Sequence, residues 1–287
     1  MTYRTPQALR TALEQRLLTQ SETTGVALDR LRRRVVFERV FARLHSAEPG
    51  RWVLKGGMAL EVRLSDRARL TKDIDLGLRE TVEDQGKLHE RLVEALEADP
   101  YDDWFVLTVE PLKRLMEDGA GRATWRTSVD ARLAGKTFGR VKLDISPRSH
   151  ELDATDEVAL PNSLSFAGIS VPTIEVIDIQ RHAAEKLHGM HHDFGDRDNS
   201  RVRDLVDLVI LHENGLLEAA RLAEVVREVW RERDGLPPPI ELPSYPLSWP
   251  DRYEHLASEQ DLETRTFPTA VALVEQLWVN VIATPEN

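Results

Sequence analysis

Asp73 and Asp75, in the run Thr71-Lys72-Asp73-Ile74-Asp75-Leu76, are the residues whose type and spacing most plainly suggest chemistry. Residues 71–78 alternate as a strand does, and in a strand residues i and i+2 share a face. The two carboxylates then project side by side while Ile74 and Leu76 turn to a core. Paired like charges raise one pKa unless a cation lies between them. A divalent ion that prefers hard oxygen removes the conflict, and Mg2+ (or Mn2+) is the usual choice beside substrate phosphates. Asp144 lies in a second alternating run, Val141-Lys142-Leu143-Asp144-Ile145. If the two strands are neighbours, three carboxylates converge. That is enough for two metals, one activating an attacking hydroxyl and one clamping a triphosphate. Gly56-Gly57 follows a short strand and precedes a helix beginning near Met58. Without a Cβ, such residues let backbone N–H groups approach a phosphate. Lys55 adjoins them, with no direction readable from sequence.

Each feature alone has a plainer reading. A D-x-D pair on a strand is usually a solvated edge, Gly-Gly is usually a turn, and a lone Asp144 draws no comment. The order strand, Gly-Gly, helix, strand with D-x-D, later strand with Asp is what carries specificity.

The elements that must hold these residues read as follows. Helices are expected over 6–19 and 26–45, and a short strand over 51–54. A short helix over 58–64 leads to the 71–78 strand. An acidic amphipathic helix covers 83–98. Strands follow over 104–109, 124–133 and 139–145, with Ala134-Gly135-Lys136 turning the last pair. From Ile174 the spacing is helical, over 174–190, 202–212, 216–231 and 267–282. The proline-rich stretch 236–250 reads as an ordered surface loop anchored by Tyr245, Leu247 and Trp249. There is no internal repeat. The expected class is α+β, a mixed twisted sheet flanked by helices and then a helical lobe. The expected domains are 1–160 and 161–287.

The 287 residues are 41% hydrophobic and 30% charged, a globular composition. No apolar run suits a membrane span, and the first residues lack an apolar signal core, so a cytoplasmic protein is expected. The absence of cysteine excludes disulfides, thiolate zinc sites and a Cys nucleophile. Net charge is -11, which argues against a nucleic-acid partner until its distribution is read. Residues 1–80 hold 16 Lys/Arg against 10 Asp/Glu, and the remainder holds 22 against 39. Arg30, Arg32, Arg33, Arg34, Arg39, Arg43 and Arg51 supply much of the basic excess, which fits either RNA phosphates or solvated helix faces.

The wording Val53-Leu54-Lys55-Gly56-Gly57-Met58-Ala59-Leu60, followed by Thr71 to Leu76, resembles the AbiEii family of DNA polymerase β-type nucleotidyltransferases. That family includes toxins of bacterial abortive-infection systems and the mycobacterial MenT toxins. Glu185-Lys186-Leu187-His188 resembles its lysine motif. Arg201-Val202-Arg203-Asp204-Leu205-Val206-Asp207-Leu208 resembles its basic-x-basic-Asp-x-x-Asp-Leu motif. The resemblance implies a two-lobed enzyme with NTP and metal in a cleft. It implies Asp73 and Asp75 as metal ligands and Asp144 as a third carboxylate that orients or deprotonates the acceptor. It implies Lys55, Gly56, Gly57 and Lys186 at the nucleotide, and Asp204 or Asp207 on the helical side. Two departures stand out. Gly56-Gly57 replaces the Gly-Ser of the wider superfamily, and Gly57 lies 16 residues before Asp73, farther than in compact members.

The helical residues also have ordinary readings. Lys186 fits a snorkelling surface lysine. Arg201–Asp204 and Arg203–Asp207 fit helix-surface ion pairs. His188, His191, His192 and Asp193 have the i, i+3 and i+4 spacing that can chelate zinc on a helix, but with no second cluster to complete a site they read as a solvated helix end.

The implied reaction is attack of an acceptor hydroxyl on the α-phosphate of an NTP, with the tRNA 3′ end as acceptor, which blocks aminoacylation and translation. Arg32, Arg33, Arg34 and Arg39 are the expected RNA contacts. A cognate antitoxin is the expected partner, and the free chain is expected to be monomeric. Phosphorylation of Thr71, on the face of Asp73 and Asp75, would inhibit. The alternatives are nucleotide transfer to a protein or a small molecule such as an aminoglycoside, and a non-catalytic partner in a toxin–antitoxin module.

Overall fold

The computed structural model describes residues 2–69, 71, 73–82, 84–115, 123–192 and 199–285, without the side chains of Asp66 and His150. Lys72 and Asp193 lie outside the described residues. By contact density the chain divides into two units, Met1–Val62 with Thr71–Val176, and Arg63–Leu70 with Ile177–Asn287.

The first unit is built on an eight-stranded sheet, counted among the described residues. Its strands are β1 (Trp52–Lys55), β2 (Asp73–Leu78), β3 (Phe105–Val109), β4 (Lys113–Arg114), β5 (Trp125–Leu133), β6 (Lys136–Pro147), β7 (Thr155–Ala159) and β8 (Thr173–Ile177). The spatial order is β3-β5-β6-β2-β1-β8-β7, with β4 also on β5. β2 runs parallel to β6 and β1 parallel to β8, while β1/β2, β3/β5 and β5/β6 are antiparallel. Ala134 and Gly135 have φ of 53° and 72°, the positive pair that a tight two-residue hairpin needs. Around the sheet lie α1 (Pro6–Thr24), α2 (Leu28–Ala47), α3 (Gly56–Leu64) and α4 (Gln85–Glu97). α2 packs on β6, where the buried Val36 side chain lies against Gly139.

The second unit carries α5 (Ile179–His191), α6 (Val202–Glu213), α7 (Ala219–Asp234), α8 (Trp249–Glu259) and α9 (Phe267–Ala283). α5 packs on both α6 and α7, and α9 on α6, α7 and α8. The α+β class with a mixed sheet and a helical C-terminal part is therefore observed.

Three expected elements differ. Residues 174–177 are strand, not the start of a helix. The β-branched run Ile174, Val176, Ile177 pairs parallel with β1, and Asp178 then caps α5 by accepting from the Arg181 backbone N–H at 2.9 Å. α8 begins inside the proline-rich stretch, because Pro250 suits a first helical turn. Trp249 is fully buried there and donates from Nε1 to the Asn199 carbonyl at 2.7 Å, and Tyr245 packs on it at 5.3 Å. Leu247 is fully exposed and anchors nothing. The third is β7, on the sheet's edge, in the stretch between residues 145 and 174 for which the sequence suggested no element.

Candidate active site

The sheet register brings charged residues into a row. Lys55 on β1 is opposite Asp75 on β2, Asp75 is opposite Asp144 on β6, and Asp144 is opposite Arg126 on β5. Residues directly opposite share a face, so these four side chains leave the sheet on one side. Asp73 joins them, two residues before Asp75, with Lys142 as its partner on β6. Ile74, Leu76, Leu143 and Ile145 are buried on the other face. Asp73, Asp75 and Asp144 are half-buried, so the carboxylates sit at a surface open to a ligand rather than within the core.

Gly56 sits against Asp75. A Cβ built at Gly56 would lie 1.8 Å from Asp75 Oδ2, and the residue has φ of 62°. Both constraints select glycine. The Asp75 carboxylate thus rests over the backbone at the first residue of α3, where a helix N-terminus favours negative charge. Gly57 is buried beside it. Lys55 is also buried, and its Nζ donates to Glu151 Oε2 at 2.9 Å. Thr71 donates from its hydroxyl to the Asp73 carbonyl at 3.2 Å.

Arg126 was not singled out by sequence. Its guanidinium grips Asp144 by two bonds, Nε to Oδ1 at 2.7 Å and Nη2 to Oδ2 at 2.6 Å. This grip, with Asp73 and Asp75 close enough to add to it, holds the Arg126 pKa above its ordinary value. Three carboxylates gathered on one face of the sheet form a hard-oxygen set that fits a divalent ion. The Asp75 oxygen occupying the space a Gly56 Cβ would fill shows that the set is held close to backbone.

In the helical unit Lys186 is buried and paired twice. Its Nζ donates to Asp204 Oδ1 at 3.0 Å and to Asp207 Oδ2 at 2.5 Å. Burial alone would pull the Lys186 pKa down, but the two carboxylates outweigh it and hold the pKa above the ordinary value. Burial pushes Asp204 up, and Lys186 with Arg201 more than offsets that, so its pKa is lowered. Lys186 is thus no snorkelling surface residue. Arg201 does pair with Asp204, at 3.3 Å. Asp207, completely buried, is met by Lys186 and by Arg69, whose Nε lies 2.7 Å from Oδ1, rather than by Arg203. Arg69 is a second residue that sequence did not flag.

The N-terminal arginines are largely engaged within the fold. Arg32 pairs with Glu14 at 2.7 Å, Arg33 with Asp29 at 3.4 Å and Arg34 with Glu61 at 3.0 Å. Arg39 is wholly buried, 3.7 Å from Asp103, so it offers nothing to RNA. Arg43 is buried with it and donates to Asp103 and to the carbonyls of Leu96 and Phe105. The histidine run is solvated only at His192, among the described residues. His188 is buried with Asp234 at 3.0 Å. His191 lies between the Leu187 carbonyl and the Tyr245 hydroxyl.

Comparison with known proteins decides the family. The model of the nucleotidyl transferase AbiEii toxin family, a type IV toxin–antitoxin system, matches residues 39–275. The chain belongs to the AbiEii family. Its candidate carboxylates and lysine all fall inside the matched region, while Arg32, Arg33 and Arg34 precede it. The fold resembles that of MenT4, a nucleotidyltransferase toxin from Mycobacterium tuberculosis H37Rv. The TM-score is 0.57 at 18% identity, covering 96% of this chain and 90% of that one. JHP933 from Helicobacter pylori matches with a TM-score of 0.46 at 18% identity, covering 90% of this chain and 92% of that one. No curated protein sequence matches the chain. As an AbiEii protein the chain has a nucleotidyltransferase toxin fold. No described helix is long and apolar enough to cross a membrane.

Proposed function

We propose that this AbiEii protein is a metal-dependent toxin that transfers NMP from an NTP to the 3′ end of tRNA, the terminal hydroxyl attacking the α-phosphate and pyrophosphate leaving, and so blocks aminoacylation and translation. The observation that carries the reading is the register of Asp75 with Asp144, with Asp73 on the same face and Gly56 clearing space for the Asp75 carboxylate. Asp73, Asp75 and Asp144 would hold Mg2+ or Mn2+. When bound, the metal supplies charge neutralisation at the phosphates and lowers the pKa of an attacking hydroxyl.

The remaining work falls to side chains and backbone. Asp144, oriented by Arg126, positions the acceptor hydroxyl and accepts its proton. Backbone N–H groups at Gly56 and Gly57 cradle phosphate at the start of α3. Lys186 supplies positive charge to the triphosphate, held in place within the helical unit by Asp204 and Asp207. Catalysis is then mostly positioning and electrostatics. On this reading the protein would act in the cytoplasm, as a monomer when free, with a cognate antitoxin as partner. Thr71 phosphorylation would add negative charge beside Asp73 and inhibit.

The test is incubation with α-labelled NTPs, bulk tRNA and Mg2+, with Asp73→Ala and EDTA as controls. Label on tRNA that disappears in both controls supports the reading. Label on protein or on an aminoglycoside moves the acceptor to another class. No transfer to any acceptor overturns the enzymatic reading.

A further inference from the structure

Apart from the carboxylates of the sheet, a second set of ligating side chains lies in the helical unit, where two helices end. His188 is in the last turn of α5 and His192 is its C-cap, four residues on. Their rings stack at 5.5 Å with 28° between planes. Asp234 is the last residue of α7, and its Oδ2 lies 3.0 Å from His188 Nε2. One ligand atom from each of the three lies within 4.8 Å of the others. We propose that His188, His192 and Asp234 form a site for a zinc-class transition-metal dication that clamps the end of α5 to the end of α7.

The donor chemistry fits. Two imidazoles and a carboxylate with a fourth position left for water or another oxygen is a zinc-type set, and it is not one that Mg2+ prefers. Metal–ligand bonds of about 2.0–2.1 Å in a tetrahedron place donor atoms roughly 3.3 Å apart. The His188–Asp234 pair is already near that separation. His192 and Asp234 are exposed and can make the remaining adjustment.

The electrostatics fit as well. Both α5 and α7 present their C-terminal ends here, and the terminal carbonyls carry partial negative charge that favours a cation. The first ligand is fixed before any ion arrives, since the buried His188 ring packs edge-on to Trp230 at 4.9 Å. Arg233, the cation next to Asp234 in the chain, pairs with Glu185 at 3.3 Å. His191 is excluded from the set because Nδ1 and Nε2 face Leu187 and Tyr245. The clamp has a structural consequence, because Lys186 lies two residues before His188 on α5. An ion joining α5 to α7 would fix the helix that carries that lysine.

The test uses the full chain, stripped with EDTA, dialysed and titrated with Zn2+ in Mg2+-free buffer by calorimetry. One equivalent should bind, and Tm should rise by about 5 °C at a hundredfold excess over Kd. Co2+ should give the visible absorption of a tetrahedral ion. His192→Gln and Asp234→Asn change exposed residues and should weaken that equivalent by at least about tenfold. The Asp73→Asn/Asp75→Asn double variant should keep it. Absence of zinc binding at micromolar concentration overturns the proposal. So does binding that ignores His192→Gln and Asp234→Asn, or binding that disappears with Asp73 and Asp75.

Discussion

Replacing Gly56 by alanine strikes the site in two separable ways. The backbone at Gly56 has φ of 62°, where an L side chain costs about 1–2 kcal/mol. For a chain of this size that lowers Tm by about 2–4 °C. The new Cβ would also fall 1.8 Å from Asp75 Oδ2, 2.6 Å from its Cγ and 2.9 Å from its Cβ. Three atoms of one side chain are too close, so a small rotation of the carboxylate does not relieve the clash. The Oδ2 atom must retreat by more than about 1 Å, a misplacement worth on the order of 10²-fold in rate. Gly25→Ala separates the two effects. Gly25 has φ of 72°, and a Cβ there meets nothing within 4 Å. Gly25→Ala should lose comparable Tm and keep the wild-type rate. The assay is transfer from α-labelled NTP to bulk tRNA, run beside a thermal melt. A folded Gly56→Ala variant within about threefold of the wild-type rate would refute the placing of Asp75 at the reacting centre. An inactive Gly25→Ala would show that backbone strain alone removes activity.

Other outcomes follow from the same geometry. Lys186→Met leaves Asp204 and Asp207 without their shared buried partner, so unfolding free energy in a urea melt should fall by about 3 kcal/mol or more, with loss of transfer; an unchanged melt would mean the pair bonds contribute nothing. Arg126→Leu should lower kcat by roughly tenfold or more at unchanged Tm, and Arg126→Lys should restore only part of it, because lysine lacks the planar two-pronged grip on Asp144; full activity in both variants would remove Arg126 from the site. Burial raises Glu38 from 4.5 to about 7, against the Ser163 bonds that pull it down. A raised folded pKa means the stabilisation is complete below about 4.5 and is lost as pH rises through about 7. Glu38→Gln should therefore remove a falling component of stability between these values, with a slope of at most about 1.4 kcal/mol per pH unit, and an identical pH profile for the variant would show that Glu38 does not hold its proton.

What was legible in the sequence is what local alternation controls. β2 and β6 were readable because apolar residues alternate with Asp73, Asp75 and Asp144, and alternation alone assigns faces. β8 was not readable, because Ile174 and Ile177 are three apart and mimic a helix period that runs on into α5. Its strand partner β1 lies more than a hundred residues upstream. Arg126 was hidden by a bulge. Counted back from the two-residue turn at Ala134 and Gly135, Asp144 would face Trp125. The register shift at Ala131/Arg132 moves the pairing by one residue and places Arg126 opposite instead. Arg39 was misread because its charge suggests surface, whereas its burial depends on Asp103 arriving from elsewhere in the chain.

Lys186 shows most clearly where spacing stops being informative. From sequence, Asp204 and Asp207 had nearby arginine partners at helical spacing, and Lys186 had none. Within the fold, α5 and α6 pack so that the lysine reaches both aspartates, and Arg69 closes on Asp207 from outside either helix. Asp204 and Asp207 therefore need not compete for one role. Removing either leaves Lys186 with one carboxylate in a buried setting, where a single partner offsets burial less well than two. The functional and the structural readings of this cluster describe one arrangement. If Lys186 serves a triphosphate as proposed, it must first be stabilised in the absence of substrate, and two carboxylates on one helix face do that.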